Sequence, residues 1–578
     1  MGSKIRKILA TAGLVAFGLG LFNMTGNCYQ IPETTLRIAQ QKMMETAQQQ
    51  GPTSEVIRVG IGSQNFGTYN HKEISVYGTD TIAVYDGNKF IVSLPSNTNV
   101  GIRLSELGNY DLYTGGRKID ELKGPVHFVC NNGLLGVTDL KRAGKPALYH
   151  GAFEVIKSVN SGFLNLVNMV EVEEYLKGVV PNEMPVRFGL EALKAQSVTA
   201  RNYVLSPRVK ASPNYDVVDS VASQVYYGAN TEKEVANCAV QETEGIVALY
   251  NEELILAQYS STAGGYTEDF SNAFSDPKTK AFPSVEKPYL VAQPDMPNQH
   301  SLEDEADALE FYSTTPESFD VKSPYYRWQR EWAVDELRES LQSTLVAQSL
   351  TGFVSPAFES CDLLGDITGI RVVRRGKSGK IIELVVETTN RNYHIFKELV
   401  IRRAFVKDGK ALPSANVVFV PTYDASGKLA TIKAFGGGYG HGVGMSQFGA
   451  GYMATELGKT YRDILFHYYT GITLATKPVV LSRNNNFITQ TFWADKGTVN
   501  LVVNNTHKLS TIVVNINGKD KIFPLESHIL GGNVNRIDIT KFLKTGKNKV
   551  VYQFVDDGKN GDKSLKVYVE VGKSNDRG

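Results

Sequence analysis

The sequence predicts an α+β protein of several domains that ends in a separate all-β sandwich, and three observations predict it. At 578 residues the chain is too long for one hydrophobic core. Short β runs such as I-R-V-G-I (57–61) and K-F-I-V-S-L (89–94) precede longer stretches of helical periodicity. Beyond about residue 476 the text alternates apolar and polar positions, as in T-I-V-V-N-I-N-G and S-L-K-V-Y-V-E-V. A hydrophobic content of 42% and a charged content of 21% are ordinary for a folded soluble protein.

Taken in order, Lys4, Arg6 and Lys7 precede the apolar run Ile8 to Phe22, a charged region followed by a hydrophobic one, so residues 1–30 read as a signal peptide or membrane anchor and the protein as exported to the cell envelope. Cys28 invites a lipid, but Asn27 stands where a small residue is needed. Residues 31–53 are polar and Gln-rich, a tether; 54–156 are β-rich. A helix is expected over Gly189 to Leu205, with an uncharged middle (A-Q-S-V-T-A) that reads as buried and turns Gln196 and Arg201 inward. An acidic helical stretch follows at S-L-E-D-E-A-D-A-L-E-F-Y. A short helix at Thr460 to Tyr469 opens with the cap T-Y-R-D and closes at Gly471. In the last domain, 476–578, Asn517-Gly518 signals a hairpin.

Four cysteines spaced by about a hundred residues give neither metal spacing nor a disulfide framework. A net charge of +1 argues against a nucleic-acid partner. The most distinctive stretch is G-G-G-Y-G-H-G-V-G-M-S-Q-F-G-A, Gly436 to Ala450, which fits neither a dinucleotide fingerprint nor a phosphate loop. Its density of glycine suits backbone at positive φ or in close approach to a ligand, and no core helix or strand is expected there.

Together with V-E-V-E-E-Y-L-K-G-V-V-P-N-E-M-P (170–185), the 189–205 helix, residues 223–228 and Y-S-S-T-A-G-G-Y-T-E (259–268), this run resembles the stage II sporulation protein D / amidase-enhancer family of cell-wall proteins. The resemblance spans roughly 55–475, implies a SpoIID-type catalytic core over 157–475, and weakens in an insert at about 285–430. It implies either lytic transglycosylation of peptidoglycan glycan strands or, as the alternative, non-catalytic enhancement of a cell-wall amidase. The segment R-I-D-I-T-K-F-L-K-T-G-K-N (536–548) is similar to sugar-binding jelly-roll modules.

Cleaving a glycosidic bond requires a carboxylic acid whose pKa is raised by an apolar setting. Glu183, between Pro181 and Pro185 and flanked by Val179, Val180 and Met184, is the catalytic candidate, expected on a stiff loop; the alternative is a charge serving the next helix's dipole. A transglycosylase needs no second carboxylate because the sugar's own C6 hydroxyl attacks; Glu268 and Glu174 are the fallback partners for a hydrolase. Substrate-binding candidates are Gln196, Arg201, Ser261, Thr262, Gly264, Tyr266, His441, Ser446 and Gln447, with His441 as a structural histidine the alternative. No cofactor is expected. Some family members carry Cys and His metal ligands before the position of Gln224, whereas D-V-V-D-S-V-A-S-Q-V-Y has neither. The expected partners are glycan strands and a cell-wall amidase, with membrane contact only through the N-terminal segment.

Overall fold

The early β runs form strands because alternate side chains are apolar: in Val56–Gly60, Ile57 and Val59 are buried and Arg58 lies between them. The computed structural model describes residues 55–130, 132–207, 210–296, 300–495, 497–507, 509–526, 534–555 and 563–572. The signal or anchor, Cys28 and the tether lie outside them. About 20% of the chain is helix and 39% strand, a mixed α+β protein. Among the described residues no helix is long and apolar enough to cross a membrane, which says nothing of strands.

The chain divides into two units, the larger made of 54–243 and 247–473. Its first part holds a seven-stranded sheet in the order Val217–Val218, Val56–Gly60, Leu164–Glu171, Ala152–Lys157, Val126–Val129, Ile82–Asp86, Lys89–Leu94, and a six-stranded sheet beside it in sequence. Strand Leu164–Glu171 runs directly into helix Val172–Glu183, and helix Leu190–Leu205 follows after a 3-10 turn. The second helix starts at its expected place: Gly189 at φ 86° is the cap, and all of Ala192 to Asn202 is buried. The region after residue 300 has its own core around Trp332, Leu341 and Ile395, between helix Val334–Ser349 and sheets that include Trp328–Ala333, Leu429–Gly436 and Val417–Tyr423. The acidic stretch is helix Glu305–Ser313, capped by Asp304.

The smaller unit comprises 244–246 and 474–578, and its described part from 477 onward contains strands and one 3-10 turn. One antiparallel sheet orders Val479–Ser482, Ser564–Val571, Val499–Asn504 and Val534–Asp538; the other orders Phe487–Ala494, Gly546–Gln553, Thr511–Ile516 and Lys519–Pro524. Asn517 and Gly518 both take positive φ, 51° and 84°, the turn expected of this pair.

Three expectations need correction. Glu183 is not on a loop: it is the last residue of helix Val172–Glu183, which tolerates Pro181 in its final turn. The Gly178 carbonyl there is taken by Asn182 Nδ2 at 2.7 Å and by the Tyr227 N–H at 3.3 Å, so the end is held by side chain and neighbouring backbone. Nor is the glycine run free of regular structure, because it continues as strand Met445–Ser446 and helix Gln447–Thr455. Gly449 is needed there for packing, since a Cβ would lie 2.0 Å from the Tyr468 hydroxyl. Finally, helix Tyr461–Tyr468 has the expected capping box of Thr460 and Asp463, but it closes on extended Tyr469 and not on Gly471.

Candidate active site

Four segments distant in sequence meet at Glu183. Its Oε1 accepts the Val225 N–H at 2.6 Å, and the Tyr259 hydroxyl and the Gln447 amide stand where they favour its charged form. Val225 is delivered by the aromatic packing of its neighbour. Tyr226 sits against Gly178, where a Cβ would meet its ring at 2.7 Å, packs tilted on Tyr175 with centroids 4.8 Å apart and donates to Asn168 at 2.8 Å. On the other side of Val225, Gln224 is fully buried; its Oε1 accepts from Tyr175 at 3.1 Å and its Nε2 donates to the Tyr259 hydroxyl at 3.2 Å. That leaves the Tyr259 O–H to donate to Glu183.

Electrostatics favour the acid form of Glu183. Burial raises its pKa above the ordinary value, and the bonds from Val225, Tyr259 and Gln447 counter this in part. The carboxyl also lies at the negative end of its helix, where a charge of the same sign is disfavoured. The residue as a whole is half-buried, with part of it accessible.

Glycine brings Gln447 and Tyr259 together. Tyr259–Ser260 and Met445–Ser446 pair as two parallel strands, the Met445 N–H donates to Gln258 and the Phe448 N–H to Ser261. Gly444, at φ 71°, lies so close that a Cβ would be 2.1 Å from the Gln258 carbonyl oxygen. Ser446 caps the following helix by accepting from the Gly449 N–H at 3.2 Å. From that helix's first turn, Gln447 Nε2 reaches Gln196 Oε1 at 3.3 Å, and buried Gln196 Nε2 has no hydrogen-bond partner among the described residues.

The remaining candidates are placed elsewhere or occupied. Arg201 is held by Glu173, with Nε–Oε1 at 2.8 Å. Thr262 is buried on Ser323 Oγ at 2.6 Å; Ser261, beside it, stays accessible. The Gly264 N–H is spent on Asp320 Oδ2 at 2.7 Å, and Tyr266 is buried in a bridge with Pro294. His441 Nδ1 accepts the Val443 N–H at 3.1 Å while its ring bonds the Tyr259 backbone, an arrangement that stiffens the run; burial lowers its pKa to about 4.

Neither fallback carboxylate stands beside Glu183. Glu174, nine residues earlier on the same helix, is about 13 Å away along the axis and is bound to Lys177 at 2.5 Å. Glu268 is fully buried and accepts from Asp269 N, Asn272 Nδ2, Ser378 N and Ser378 Oγ. Among the described residues no group of three or more His, Cys, Asp or Glu is placed to hold a metal ion.

Tyr175, Gln224 and Tyr259 were not singled out for this role by the sequence, although all three stand in quoted motifs. Residues 160–250 match the stage II sporulation protein family. That stretch is similar to the SpoIID domain. It contributes Glu183, Gln196 and Gln224, whereas the glycine run falls largely in a second match, residues 276–444, to a domain of unknown function (DUF8618). The chain is 34% identical to the amidase enhancer of Bacillus subtilis over 52% of its own length and 40% of that protein's. It is 29% identical to stage II sporulation protein D of Bacillus amyloliquefaciens and 27% identical to that of Bacillus subtilis, over 55% of this chain and 78% of each relative.

Proposed function

We propose that this protein is an exported lytic transglycosylase that cleaves peptidoglycan glycan strands, with Glu183 as its acid and base. The observation that carries the reading is a partly accessible glutamate whose carboxyl is biased toward its protonated form, accepts the Val225 N–H and, among the described residues, has neither Glu174 nor Glu268 beside it. A hydrolase flanks the scissile bond with two carboxylates, about 5 to 9.5 Å apart. Here the Glu183 proton passes to the glycosidic oxygen as that bond breaks. The sugar's C6 hydroxyl then bonds to C1, and its proton returns to Glu183, closing a 1,6-anhydro ring and restoring the enzyme. Tyr259 and Gln447 steady the carboxylate while it is charged. Ser261, which stays accessible, is the residue we assign to a sugar hydroxyl; buried Gln196 and Ser446 position Gln447. We read the two C-terminal sheets as layers of a sandwich that binds the wall.

A second reading has a specific support. One relative is named amidase enhancer, so a chain that binds glycan and stimulates an amidase without cutting is the rival. Incubation of the purified protein with denuded glycan strands, followed by mass spectrometry of the ends, decides between them. The proposal requires new 1,6-anhydro ends with no amidase present; intact strands favour the enhancer, and new reducing ends would mean hydrolysis.

A further inference from the structure

The net charge of +1 conceals a division of charge along the chain. Residues 474–578 hold 16 Lys and Arg against 9 Asp and Glu, and the preceding 473 residues hold 45 against 51. The smaller unit is therefore a basic body joined to an acidic one. Part of its charge is gathered at one edge. Strand Lys519–Pro524 is the last of its sheet, paired on one side only. Lys519, Lys521 and Phe523 alternate onto one face of it, while Asp520 turns to the other and accepts from Asn515 Nδ2 at 2.7 Å. The 3-10 turn Thr540–Phe542 brings Phe542 against this face, 6.2 Å from the Phe523 ring. Lys521 Nζ stands 4.7 Å and Lys541 Nζ 5.1 Å from the Phe542 centroid. Lys519, Lys541 and Lys544 are exposed, and among the described residues no carboxylate lies within 4.0 Å of any of these four lysines. The nearest acid in the turn, Asp538, is engaged by the Thr540 N–H at 2.9 Å.

From this edge we propose that the C-terminal unit is a docking surface for a phosphodiester-linked polyol or sugar polymer of the cell wall. Like charges held together without a salt bridge, with exposed Asp538 as the acid that Lys541 acts on, cost stability and suit an anionic partner. Lysine outnumbers arginine by 13 to 3 in the unit. Ammonium groups are point charges without the planar fork that matches a fixed carboxylate, so they fit phosphates spaced along a flexible chain. Half-buried Phe523, on the same face as Lys519 and Lys521, gives the polymer's carbon backbone an apolar contact. Nucleic acid fits less well, because both lysines lie over the Phe542 ring and cover it where a base would stack.

The choice of polymer rests on the cell-wall reading above; the charged edge does not involve Glu183. The test is cosedimentation of the full chain with walls carrying such a polymer, with the same walls stripped of it by hydrofluoric acid, and with poly(glycerol phosphate) as soluble competitor. We expect binding to fall at least fivefold on stripped walls. Lys521→Gln/Lys541→Gln should weaken polymer binding by a similar factor and flatten the slope of log affinity against log salt by about one to two. The exposed pair Lys519→Gln/Lys544→Gln serves if the first pair melts early. Equal binding to stripped walls, full binding by both pairs, or tighter binding to duplex DNA or anionic vesicles at equal phosphate overturns the proposal. Glu183→Gln should bind the polymer fully, so failure of this surface and failure of the cleavage reading are told apart.

Discussion

A carboxyl acts as an acid near neutral pH only where its surroundings hold the proton, and at Glu183 burial and the negative end of its helix do so. Cleavage should then survive above the ordinary carboxylate range and fail as pH rises through the raised pKa. Tyr259 opposes that shift by bonding the charged form. Tyr259→Phe should therefore move the falling limb of the pH–rate profile to higher pH; an unmoved limb would separate Tyr259 from the titration. His441 gives a stability prediction of the opposite sign. Its folded pKa of about 4 lies below the ordinary 6.5, so the stability it contributes is present above 6.5 and lost as pH falls toward 4. His441→Gln should flatten the melting temperature's fall across that window, whatever its effect at pH 7. Sequence chemistry singled out Glu183 and the two glutamines, because residue type and motif identify them. It did not connect Tyr259 and Gln224 to Glu183, since 76 and 41 residues separate them from it and only tertiary packing brings their hydroxyl and amide to it.

Among elements, the glycine run makes the clearest demand. Gly444 combines positive φ with a Cβ site 2.1 Å from the Gln258 carbonyl oxygen, whereas Gly442 has positive φ but ordinary space. Gly442→Val should cost about 1–3 kcal/mol, and Gly444→Val more, read from denaturant midpoints. Equal costs would remove close approach as the reason for glycine at 444. Thr460→Ala, which deletes a capping box, should cost about 1 kcal/mol by the same measurement. The Thr460 capping box, the Asn517-Gly518 turn and the buried 190–205 helix were legible because each is written in local sequence, whereas the close expected at Gly471 was not. The helix reaching Glu183 was not. Pro181 reads as a breaker, yet it stands in the final turn, and the end there is held by Asn182 and Tyr227 on the Gly178 carbonyl. Gly449 and Gly451 likewise look like loop residues, yet they sit in a helix that packs tightly on Tyr468 and Phe188.

At the scale of the molecule, the α+β character and the all-β tail followed from periodicity, but whole-chain charge hid the basic C-terminal unit because the two parts nearly cancel. Removal of residues 476–578 should leave the larger unit folded, with its own cooperative melt, cutting soluble strands at the same rate and holding insoluble wall more weakly. Loss of that melt would mean the units fold as one. Chelators should leave cleavage unchanged, given the absence of Cys and His from 216–226; zinc at stoichiometry by elemental analysis would show otherwise. The most direct test of the account compares wild type with Glu183→Gln on denuded strands, with melting and strand binding measured on the same preparations. The amide keeps the side chain's shape but cannot give and recover a proton. The account predicts 1,6-anhydro ends from the wild type and none from a variant that melts and binds normally; continued cleavage by that variant would contradict it.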